Sequence, residues 1–67
     1  MTNLELVKTV DCWAQANSKK HIERAFEYIY TRAVNNDYGW DSIEKHQPDL
    51  FNEAVSVAKE FEYEMNL

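Results

Sequence analysis

Asp49, Glu53, Glu60 and Glu64 are spaced so that, at about 100° per residue, they fall within roughly 60° of one another on a helix. At a rise of ~1.5 Å per residue the row would run ~22 Å, with Ser56 filling its gap without adding charge. Aligned carboxylates offer two chemistries: proton transfer if a cleft perturbs them, or capture of a cationic surface if they stay in water. A 67-residue chain has little interior left for a cleft once its aromatics are packed, so a non-enzymatic protein is expected.

The commonest meaning of such a row is a solvated helix face. Two features favour a contact surface. Neither Glu53 nor Glu60 has a lysine four residues on, and like charges at that spacing cost roughly 0.2–0.5 kcal/mol each. Glu60, Glu62 and Glu64 also stand near a helix C-terminus, where the dipole disfavours negative charge. A basic protein groove would remove both costs, and mimicry of a nucleic-acid backbone is one version of that contact.

Arg24, Tyr28 and Arg32 form a second row, at steps of four, off the apolar stripe of the second helix. With Lys19 and Lys20 they could pair with phosphates and stack on bases. The patch is small and belongs to a molecule of net charge −5, so direct nucleic-acid binding ranks as an alternative. Tyr63, like the pair Tyr38 and Trp40, fits no helical stripe. Trp40 has a structural use, closing one end of a helical core. If exposed, the pair would be aromatic anchors rimmed by Asp37 and Asp41.

The remaining reactive residues carry less. His21 and His46 have no second ligand at metal spacing, so no metal or cofactor is expected, and His21 reads as a surface residue. The alternation Asn35, Asp37, Gly39, Asp41 departs from a calcium loop, because glycine is misplaced and His46 stands where the closing glutamate belongs. Cys12 lies off the stripe of its helix and reads as a partly buried thiol. A lone cysteine cannot form an internal disulfide, and no apolar run reaches the ~18–20 residues of a membrane span. A soluble cytoplasmic protein with no signal peptide and no membrane contact is therefore expected.

These groups must be held by helices. One glycine and one proline leave little turn chemistry for sheets. Thr2 followed by Glu5 predicts a capping box opening a helix over about 3–16, with Leu6, Val7, Val10, Trp13 and Ala14 inward and Trp13 as its anchor. Asn17 and Ser18 are suited to cap the end of this helix and the start of the next. The second helix, about 19–34, carries Ile22, Ala25, Phe26, Ile29, Tyr30 and Ala33 on one face, and the cluster from Asn35 to Gly39 stops it. A short helix at about 41–46 would point Ile43 inward. Pro48 then opens a third long helix, about 48–65, with Phe51, Ala54, Val55, Ala58, Phe61 and Met65 as its stripe.

The expected architecture is all-α: a small three-helix bundle over residues 1–67 as a single helical domain. Charge divides unevenly along it. Residues 1–36 hold four acids and five bases, whereas residues 37–67 hold eight acids and two bases. We therefore expect a protein-binding regulator or inhibitor that presents Asp37, Tyr38, Trp40, Asp41, Asp49, Glu53, Glu60 and Glu64 to a basic protein. Small phage-encoded proteins that block host nucleic-acid-handling machinery are the analogy. A homo-oligomeric structural or assembly subunit, such as a homodimer, is the other alternative.

Overall fold

The computed structural model describes residues 1–34 and 39–65. Among them the order is α1 (Asn3–Ala16), α2 (Lys20–Arg32), α3 (Trp40–His46) and α4 (Pro48–Phe61), closed by a 3₁₀ turn over Tyr63–Met65. The protein is all-helical, with no strand among the described residues. The three long helices pack pairwise on one another, while α3 lies against α4 and α1. The Cα radius of gyration is 10.9 Å, close to the ~11 Å of a well-packed chain of this length.

Helix α1 begins as the sequence predicts, with one difference. The Glu5 amide donates to the Thr2 hydroxyl at 3.1 Å, but the Glu5 carboxylate accepts from that hydroxyl at 3.3 Å instead of from a backbone amide. Its end is a Schellman motif. The Lys19 amide donates to the Ala14 carbonyl at 2.8 Å and the Ser18 amide to the Gln15 carbonyl at 3.3 Å. This geometry places Ser18 at φ 55°, the left-handed position that glycine usually fills. Lys19, not Ser18, is then the N-cap residue of α2, and no side chain caps it.

Helix α2 stops at Arg32, two residues before the expected end, because Ala33 turns to extended backbone at φ −78° and ψ 137°. The freed Val34 amide donates to Gln47 Oε1 at 2.7 Å. Gln47 thereby ties this exit to the junction of α3 and α4, where its own amide donates to Ile43 and its carbonyl accepts from Phe51. Pro48 follows it at the first helical position, where a missing amide costs nothing.

The fourth helix is α-helical only to Phe61, not to 65. No glycine follows Phe61, and Lys59 is the sole base in the last turn against Glu60, Glu62 and Glu64. Such an end gains little from dipole or cap, and the chain tightens into a 3₁₀ turn through Met65 amide to Glu62 carbonyl at 3.2 Å.

The core joins Leu6, Val7, Val10 and Ala14 to Ile22, Phe26, Ile29 and Ala33, and to Phe51, Ala54, Val55 and Ala58. Helix α3 adds Ile43 and Trp40. Trp13, expected as the anchor of α1, is only half-buried at the margin, with Lys19 Nζ 6.0 Å from its ring centre. Among the described residues the buried aromatics are Phe26, Phe51 and Trp40, and the tryptophan links two rings of α2. It meets Phe26 and Tyr30 edge to face, with centroids 5.6 and 5.1 Å apart, and such pairs add about 0.5–1.5 kcal/mol beyond area burial.

Candidate functional site

Trp40 is 6% exposed, so it is withdrawn from the expected contact surface and belongs to the core. Gly39 makes this entry geometry accessible: at φ 83° and ψ −171° it occupies a region essentially closed to other residues and turns the chain inward at the first residue of α3. The indole Nε1–H then finds a partner, donating to Asp11 Oδ2 on α1 at 3.2 Å. Asp37 and Tyr38, the other half of the expected aromatic loop, lie outside the described residues. Asp41 is exposed and paired to Lys8, Nζ to Oδ1 at 2.6 Å. Hydrogen bonding from Lys8 lowers the Asp41 carboxyl below the usual carboxylate range.

The predicted acidic row is partly dispersed. Asp49, Glu53 and Glu60 are exposed residues of α4, but Glu64 sits on the 3₁₀ turn, where its Oε2 is 3.7 Å from His21 Nε2. His21, exposed as expected, also meets Phe61 edge to face. Glu53 is held by Arg32 of α2, with Nη1 3.4 Å from Oε2. Among the described residues Asp49, Glu60 and Glu62 form no ion pair. Tyr63, next to Glu62 in sequence and at the opposite end of α4 from Asp49, is 92% exposed. The acidic-rimmed aromatic pair depended on exposure of Trp40, which is buried; Tyr63 is instead the exposed aromatic, flanked in sequence by Glu60, Glu62 and Glu64.

The basic row is largely engaged within the molecule. Arg32 lies over the Tyr28 ring at 5.1 Å as well as against Glu53, and Lys20 lies 3.3 Å from Glu23. Lys19 lies beside Trp13, and Arg24 is the member of this set without a partner among the described residues. Cys12 is exposed, not partly buried, because α1 turns that side away from the core. His46 Nδ1 lies 3.1 Å from the Ser42 carbonyl, within its own helix. No group of three or more potential metal ligands occurs among the described residues.

Sequence reasoning missed one feature altogether. A groove of about 470 Å³ runs between α1 and α2, lined by Asp11, Gln15, Glu23, Phe26, Glu27 and Tyr30. Asp11 is fixed in it from two sides, accepting from Trp40 and, at 3.3 Å, from Gln15 Nε2. Glu23 Oε2 is sealed from solvent and receives no well-aligned hydrogen bond; Lys20 approaches it as an ion pair from an exposed stem. The pairs Asp11/Gln15 and Glu23/Glu27, each one helical turn apart, were visible in the sequence. That the two faces meet is set by helix packing, which spacing alone does not give.

No protein-family model matches this chain, and comparison with curated proteins and with solved structures finds no match to either.

Proposed function

We propose that this protein is a non-enzymatic binding protein, a regulator or inhibitor that engages a basic protein through the outer side of α4 and its terminal 3₁₀ turn. The observation that supports it is Tyr63, almost fully exposed and close in sequence to three glutamates, of which Glu60 and Glu62 form no ion pair among the described residues. A free tyrosine side chain offers a large amphipathic anchor, and unneutralised carboxylates beside it attract a positive partner and set its orientation. We read the architecture as a three-helix bundle with α3 as a plug. On this reading the bundle holds the contact helix still while the plug removes Trp40 from the surface.

The internal pairs narrow the expected surface. Arg32 already answers Glu53, so the unbalanced charge is Asp49 at one end and Glu60 and Glu62 at the other. Nucleic-acid binding through α2 gains little support, since most of its basic groups serve the protein's own acids and rings. The test is affinity capture from a host extract with the intact chain and with a Glu60→Lys, Glu62→Lys variant. Loss of a captured basic protein in the variant supports the reading; its retention removes it.

A further inference from the structure

We propose that His21 is a pH-sensitive latch for the terminal 3₁₀ turn: protonated, its imidazole ties Glu64 to the start of α2, and neutral, it releases the turn that carries Tyr63. The latch does not rest on the α4 contact surface, so either can fail without the other.

Two contacts of one ring carry the inference. His21, in the first turn of α2, meets Phe61, the last residue of α4, edge to face at 5.4 Å, and its Nε2 lies 3.7 Å from Glu64 Oε2 on the turn. The imidazole therefore bridges the point where α-helix gives way to 3₁₀ turn. Its contact with Phe61 is a packing contact that persists in either charge state. The contact with Glu64 depends on charge. At 3.7 Å it is beyond the ~3.2 Å reach of an N–H···O hydrogen bond, so a neutral imidazole gains little from it, whereas a protonated one attracts the carboxylate. Within the turn the Met65 amide donates to the Glu62 carbonyl at 3.2 Å, and Tyr63, 92% exposed, is not fixed by packing.

The charged groups on the segments around His21 are Lys19, Lys20, Glu23 and Arg24 at the start of α2, and Lys59, Glu60, Glu62 and Glu64 at the end of α4 and on the turn; Tyr63 and, near the end of α1, Cys12 are the other titratable ones. Lys20 is paired to Glu23 at 3.3 Å, and among the described residues Glu64 is the acid that pairs with the imidazole. Imidazole is the side chain whose ordinary titration falls between about pH 5 and 8, so the latch works near neutrality. It is closed while Glu64 is ionised and His21 protonated, and it opens as pH rises through the imidazole range. If the end of α4 is a contact surface, opening gives that surface one further unanswered carboxylate.

The test is an NMR titration of the intact chain from about pH 5 to 8, following the carbon-bound ring protons of His21, the ring protons of Tyr63 and the Met65 amide. The Tyr63 and Met65 signals are expected to move with the same midpoint as His21. In Glu64→Gln, which keeps the side-chain shape and removes the charge, His21 still titrates and the turn no longer follows. In His21→Gln, with His46 the remaining histidine, the turn is expected not to respond. Both substitutions are at exposed positions, and circular dichroism checks that the helices persist. Turn signals that stay still in the unmodified chain would overturn the latch whatever the variants do, and so would a turn response that is unchanged by either substitution.

Discussion

Arg32 reaches from α2 to Glu53 on α4, Nη1 lying 3.5 and 3.4 Å from the two carboxylate oxygens, while its guanidinium carbon stands 5.1 Å from the Tyr28 ring centre. The basic row and the acidic row therefore touch at one point, and there the acid is already answered. Both partners are about half exposed, so the pair contributes little to stability, below about 1 kcal/mol. Arg32→Ala is expected to lower the denaturation midpoint only slightly while raising the affinity of α4 for a basic partner, because it releases Glu53. Urea denaturation and partner titration read the two effects separately.

Trp40→Phe keeps a ring in the core but deletes the N–H that donates to Asp11. The expected cost is about 1–2 kcal/mol, from the lost bond and the lost indole volume. Trp40→Ala should cost about 3–5 kcal/mol, a large part of the stability of a chain this small. Chemical denaturation followed by far-UV circular dichroism measures both.

Gly39 and Ser18 both have positive φ, and their substitutions should move stability in opposite directions. Open space surrounds Gly39, yet Gly39→Ala is expected to destabilise by about 1–3 kcal/mol, because backbone conformation and not crowding sets the cost. Ser18→Gly should instead stabilise by roughly 0.5 kcal/mol, removing the Cβ from a left-handed Schellman position. Thermal melts of the two variants decide the signs.

Asp41 supplies the pH dependence. Its carboxyl is lowered by hydrogen bonding from Lys8, so its contribution to stability is present above the ordinary carboxylate range and fades as pH falls through the lowered value. Asp41→Asn is expected to lower the melting temperature slightly near neutrality and to converge with the unmodified chain in strong acid. Melts between pH 2 and 7 would show whether the two curves meet.

Most of the fold was legible because the apolar residues keep helical steps from Leu6 to Ala58. The limits of α1 coincide with the expectation, since Thr2 and the apolar stripe specify them locally. Trp40 was legible only as a choice between plug and anchor. Its burial depends on Gly39 turning inward and on Asp11, 29 residues earlier, accepting a hydrogen bond from its indole N–H. The α4 end was misread because periodicity continues to Met65 while the α-helical hydrogen bonding does not, which moves Glu64 toward His21. The groove was hidden because its walls come from two helices whose relative rotation no local pattern encodes.

The proposed contact surface is the end of α4. Its most direct measurement is capture from native host extract by the intact chain beside a Glu60→Lys, Glu62→Lys, Tyr63→Ala variant whose melting temperature is unchanged. A stoichiometric basic protein is expected bound to the first and absent from the second. The same protein bound equally by both would contradict it.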